Sequence, residues 1–212
     1  MIAQGLPVSL ALGGLALFLG IGGAVIAGTH AGGLVDRIIM VKATLLTAIP
    51  TFVTGPALEL VFALWLQWLP VSGLDGAASL VLPVIALALP VAGAIARLAR
   101  AGLAVALAQD HVLAARPRGL SPRSILLRHA LRPALVPVMS YLGPAAAGLL
   151  TGAVVIEAVF GLPGLGRYFV QGALNRDYPL VLGVVILYAA LILLFNLLAD
   201  LAYGWLDPRV RG

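Results

Sequence analysis

Long apolar runs alternate along this chain with short stretches that carry nearly all of its arginines. About 20 apolar residues take a helix across the hydrocarbon core of a bilayer. The runs at 8–28, 43–64, 80–96, 136–156 and 180–199 meet or approach that length. The first has no charged residue, the second has one, Glu59, and the third is interrupted only by Pro83 and Pro90. The fourth is uncharged and rich in small residues, among them Gly143, Ala145 and Gly148, which let helices approach closely. Apolar positions run on continuously instead of alternating with polar ones, which argues against a transmembrane β-barrel. The expected fold class is all-α, a polytopic helical membrane protein with about five transmembrane helices in one domain.

Composition narrows this further. The 212 residues are 62% hydrophobic and 10% charged, with a mean hydropathy of +1.10. Soluble domains carry about 25% charged residues, so no water-facing shell can be built here, and a disordered chain needs the opposite balance. The absence of cysteine excludes disulfides, thiolate metal sites and thiol catalysis. The net charge of +5 bears on sidedness in such a chain and does not point to nucleic acid. Arg37 and Lys42, the arginines between 97 and 132, and Arg209 and Arg211 all fall on one side of an alternating topology. Only Arg167 and Arg176 fall on the other. Basic residues collect in the cytoplasm, which puts the C-terminus inside and Met1 outside. Trp65 and Trp68 fit an outer interfacial belt. An outer N-terminus with an uncharged leader leaves two expectations open: an earlier span that this chain lacks, or five spans that suffice.

The segment 97–132 is the one substantial stretch outside the apolar runs. From Arg97 to Arg116 it has helical propensity, with leucines among alanines and no interior proline. Pro117 and Gly119 break that helix, and Ser121-Pro122 starts another in the N-cap and N1 positions. The second helix is expected over Arg123 to Leu131. A topogenic loop lying on anionic lipid needs only the arginines, whereas a protruding helical elbow suits docking into a groove on another protein.

These residues resemble the cytoplasmic loop of permease subunits of bacterial ATP-binding-cassette importers, where the EAA motif forms a coupling helix. The likeness is to the dipeptide, oligopeptide and nickel branch of that family. It rests on Gln109-Asp110, Ala115-Arg116, Arg118-Gly119-Leu120-Ser121, Arg128-His129-Ala130-Leu131-Arg132 and Ala134-Leu135-Val136-Pro137. It continues in Leu69 to Gly73, in Val154 to Phe160 with Pro163-Gly164-Leu165-Gly166, in Asn175 to Pro179 and in Leu206 to Arg209. Pro117 stands where the family usually has a small residue, Leu113 replaces the glutamate of the general motif, and family members begin with one further N-terminal span.

The resemblance implies a type I importer permease fold in the bacterial inner membrane, an ATP-driven importer of peptides, and no cofactor. The partners it implies are a second homologous permease, two ATPase subunits, an extracytoplasmic solute-binding protein and the membrane lipid. It assigns ATPase coupling to Asp110, Ala114, Ala115, Arg116, Arg118, Gly119 and Ser121. Arg116 and Arg118 either pair with acids on the ATPase or simply hold the loop inside. No GxxxxGK[ST] segment is present, so energy must come from another polypeptide or from an ion gradient.

Candidate pathway residues are Glu59, Glu157, Phe160, Pro163 and Gly164. A carboxylate at membrane depth is costly unless paired, protonated or wet, which makes Glu59 a functional candidate. Pro56, three residues before it, would open the helix locally; the alternative is a carboxylate snorkelling to the outer interface. Glu157 to Gly166 resembles part of the external gate, with Phe160 and Leu162 as plugs, or is a plain interfacial loop. Arg176 and Asp177 suggest a local pair before the last span. His30, His111 and His129 lie in or beside inner loops, away from any pore, and do not favour metal transport. The rival classes are a gradient-driven transporter, which would need paired broken helices or several intramembrane acids, and a structural subunit. An intramembrane hydrolase would need a base at membrane depth, and no span contains histidine.

Overall fold

The structure, a computed structural model, describes residues 2–28, 33–74, 76–113 and 121–206. Among them there is no strand. The first helix, α1 (Ile2–Gly28), carries Pro7 inside it, which removes one backbone hydrogen bond near its start. Among the described residues four helices are long and apolar enough to cross a membrane, and a bent pair of shorter ones brings the number to five.

That bent pair replaces the single span expected over 43–64. Helix α2 (Gly33–Ala48) stops at Ile49, α3 (Thr51–Leu58) starts after Pro50, and the two meet at 103°. Pro50 takes an extended conformation, φ −62° and ψ 145°, and its carbonyl accepts the N–H groups of Val53 and Thr54. It therefore begins a new helix where it cannot continue the old one. Arg37 and Lys42 sit on α2 itself. Pro56 lies inside α3, which widens into π-helical turns over Glu59–Trp65. Trp65 and Trp68 are both exposed.

Helix α4 (Val81–Leu107) follows a 3₁₀ turn at Ala77–Leu80. It runs past the expected end of the span at 96, so the span and the helix expected from Arg97 are one continuous element, and the loop proper begins at Ala108. This is the central helix: 61% of its most apolar stretch is buried, against 6% for the last helix. It packs on α1, on α2 and on α8 (Val136–Val159). The main core forms where these meet, around Leu12, Leu82, Leu87, Ile95, Leu149 and Ile156.

Between α4 and α8 the chain makes two short helices, α5 (Asp110–Leu113) and α6 (Pro122–Ile125). Helix α6 passes into π-helical turns at Leu126–Ala130 and then α7 (Leu131–Ala134). The helix expected from Arg97 to Arg116 is thus broken at Ala108-Gln109, and the second arm reaches beyond Leu131 almost to α8. Beyond α8, a tight corner leads into the amphipathic α9 (Leu165–Leu174), and α10 (Tyr178–Leu206) closes the bundle. Asp177 Oδ1 accepts the Leu180 N–H at 3.1 Å, so this acid caps α10, while Arg176 takes a left-handed φ of 58°.

Candidate functional site

Three places in this bundle combine unusual geometry with residues singled out from sequence. The first is a mostly apolar cleft of about 190 Å³. Its walls include Thr51 at the start of α3, Pro90 and Val91 on α4, and Tyr141, Pro144 and Gly148 on α8. Each wall is a point where the helix is interrupted or contains a proline. A proline inside a helix removes one backbone hydrogen bond, and within a membrane such loosened backbone belongs beside a cavity or packed protein, not lipid. Glu59 is not among the cleft residues. Its half-exposed carboxylate opens the π-helical turns and makes no hydrogen bond or ion pair among the described residues.

The second place is the elbow between α4 and α8. Residues 114–120 lie outside the described residues, and with them Ala114, Ala115, Arg116, Arg118 and Gly119. The flanking arms are clear. Val112 on α5 is fully buried against Ile125 on α6 and Leu107 on α4, so the arms close on each other. Leu103 and Ala106 on α4 form a second cluster with Ala130 and Ala134. At Gly102 a Cβ would run into the Ala134 carbonyl, so only glycine allows this approach. The arms of the elbow therefore clamp onto the C-terminal end of the helix that lines the cleft. Asp110 is exposed at the first position of α5, and Ser121 Oγ accepts the Ser124 N–H at 3.3 Å, the N-cap expected before Pro122.

The third place is the corner between α8 and α9. Glu157 and Ser9 are both fully buried. Ser9 Oγ donates to Glu157 Oε1 at 2.5 Å and accepts the Leu165 N–H at 2.9 Å. Glu157 Oε2 accepts the Gly166 N–H at 2.7 Å. The carboxylate thus caps the start of α9, where helix N–H groups lack partners and the dipole favours negative charge. A Cβ on Gly166 would collide with the Val154 backbone, which keeps this approach open to glycine alone. Phe160 and Leu162 point into the protein, 1% and 0% exposed, so within this chain they are core residues, where the sequence suggested plugs. Gly164 is buried and Pro163 half-buried beside them. The Gly73 N–H donates to the Phe160 carbonyl at 3.1 Å, tying the loop after α3 to the same corner.

Sequence reasoning brought Glu157, Phe160, Pro163 and Gly164 to one place but missed Ser9. Its one signal is a lone hydroxyl in an uncharged apolar run. It also missed the ion pair between Asp36 on α2 and Arg100 on α4, with Nη2 to Oδ2 at 2.8 Å.

Residues 20–212 match the family described as binding-protein-dependent transport system inner membrane component. The chain belongs to that family. It is 43% identical to the oligopeptide transport system permease protein OppB of Haemophilus influenzae and 45% identical to OppB of Escherichia coli K12. Both alignments cover all of this chain and 71% of the relative. The dipeptide transport system permease protein DppB of Bacillus subtilis is 40% identical, with 70% of its length covered. The fold matches the MetNI methionine ABC transporter in an inward-facing conformation, with a TM-score of 0.78 at 18% identity over 98% of this chain and 96% of that one. It also matches an amino acid ABC transporter solved with histidines, with a TM-score of 0.75 at 20% identity over 95% and 92%.

This family member is a multi-pass inner-membrane permease subunit of an ATP-driven importer. The gradient-driven and purely structural alternatives fall away. A permease of this kind works with ATPase subunits and a further permease.

Proposed function

We propose that this chain forms half of a peptide translocation pathway and is driven by a separate ATPase that grips the elbow between α4 and α8. The observation that carries this reading is the packing of the elbow onto α4: Leu103 and Ala106 hold Ala130 and Ala134 at one end, and Leu87, Pro90 and Val91 line the cleft at the other. A helix clamped at its inner end transmits a pull on the elbow to the cleft wall as rigid-body rocking. Asp110, Ala114, Ala115, Arg116, Arg118, Gly119 and Ser121 form the gripping surface. The high identity to oligopeptide and dipeptide permeases supports peptides as the cargo. The cleft offers little charge to select a solute, which leaves selection to an extracytoplasmic binding protein at the opposite end, beside Glu157 to Gly166. The arginine-rich elbow and the C-terminus face the cytoplasm. The chain has no nucleotide site of its own, and Glu59 serves the pathway from the π-helical turns of α3.

The test is reconstitution of the chain with a second permease, ATPases and binding protein in liposomes, followed by uptake of a labelled oligopeptide. Uptake should require ATP, and Gly119→Asp should abolish both uptake and co-purification of the ATPase. Accumulation that persists with a hydrolysis-dead ATPase would overturn the reading. Because the chain has no cysteine, a single cysteine at Ser121 reports sidedness cleanly; labelling from outside would reverse the topology.

A further inference from the structure

The corner at Glu157 holds one group that its hydrogen bonding does not use. The Tyr188 hydroxyl, on α10, is buried close to Ser9 and feels the Glu157 carboxylate, yet no partner meets it at hydrogen-bonding geometry. Ser9 gives its proton to Glu157 Oε1 and the Gly166 N–H meets Oε2, so each carboxylate oxygen keeps room for a second donor. A buried hydroxyl without a partner is unfavourable, and no water within a bilayer relieves it. Such a group persists where another arrangement of the same residues uses it.

We propose that Tyr188 is the alternate donor to the Glu157 carboxylate, replacing Ser9 when α1 shifts away from the α8–α9 corner. The elements are arranged for such an exchange. Helix α10 packs directly on both α8 and α9, so Tyr188 travels with the carboxylate, whereas Ser9 belongs to α1, which packs chiefly on α4. Relative movement of α1 breaks the Ser9 bond and frees the Glu157 carboxylate to turn toward Tyr188. The buried carboxylate then never loses its side-chain donor, and the outer corner has two arrangements of similar energy in place of one rigid lock. That this exchange accompanies transport rests on the importer reading; that Tyr188 stands in for Ser9 does not.

A double-mutant cycle in the purified complex tests the exchange by thermal unfolding. Tyr188→Phe alone should leave the midpoint unchanged or slightly higher, since the hydroxyl makes no bond in the resting state. Ser9→Ala should lower it by a few degrees, and Tyr188→Phe in that background should lower it further, because Tyr188 is then the remaining side-chain donor. Equal effects of Tyr188→Phe in both backgrounds would overturn the proposal. If Ser9→Ala does not accumulate, Ser9→Cys, a weak donor, gives the same comparison. In liposomes Tyr188→Phe should slow ATP-driven uptake about fivefold, the size of one hydrogen bond, without loss of assembly. Wild-type uptake in the variant would remove Tyr188 from the cycle. Failure of the unmutated chain to take up any peptide would instead defeat the importer reading, and the thermal cycle would still decide the exchange.

Discussion

Arg100 on α4 grips Asp36 on α2 through two nitrogens: Nε lies 2.9 Å and Nη2 2.8 Å from Oδ2. The pair joins the helix that leads into the 103° bend to the helix that leads into the elbow.

Removing either partner leaves the other charge partly buried. Asp36→Ala and Arg100→Ala should each destabilise the protein by about 1–3 kcal/mol, below the range for fully buried pairs, because the arginine side chain is 32% exposed. The double variant should lose less than the sum of the two. Thermal unfolding in detergent checks this, and strict additivity would mean that the pair contributes nothing.

The cap on α9 is more deeply buried. Glu157→Ala should cost about 3 kcal/mol or more, because it strips the acceptor from both the Ser9 hydroxyl and the Gly166 N–H. Glu157→Gln keeps one of the two acceptors and should lose less than the alanine variant. Hydrogen exchange over Leu165–Leu174 should rise in the alanine variant before the rest of the bundle responds. Uniform loosening of all helices would show that the carboxylate does not act on α9 in particular.

Gly102 separates mechanical coupling from folding. Gly102→Val forces α4 away from Ala134 and should cost about 1–3 kcal/mol. The expected phenotype is a complex that still assembles and hydrolyses ATP but imports little. Parallel loss of hydrolysis and uptake would assign Gly102 to assembly.

Glu59 has no bonded partner to lose, so Glu59→Ala should leave membrane insertion and the unfolding midpoint within about 0.5 kcal/mol of wild type. Uptake should fall several-fold if the carboxylate faces the pathway. Unchanged uptake would leave Glu59 as an interfacial side chain.

How far each feature could be read from the chain depends on the range of the interaction behind it. The cap at Ser121-Pro122 was legible because it is set by a hydroxyl and a ring within three residues of each other. The bend at Ile49-Pro50 was also local, yet the apolar run from 43 to 64 masked it, since hydropathy measures transfer to lipid and is blind to backbone direction. The true end of α4 at Leu107 was hidden for the opposite reason. Arg97 and Arg100 look like the edge of a span, and only the fold shows that the helix runs through them unbroken, with Asp36 of α2 beside Arg100.

By itself, the sequence determined that this chain is a helical membrane protein of the importer permease family, since run length, charge asymmetry and ordered motifs are all written along one dimension. Only the tertiary structure decided that Ser9 meets Glu157 from 148 positions away, that Val112 closes on Ile125, and that the bend at Pro50 and two proline-bearing helices share one cleft. A buried carboxylate or an interrupted helix must be compensated by whatever lies nearest in space. In a bundle of antiparallel helices, that neighbour is set by packing and has no fixed separation along the chain.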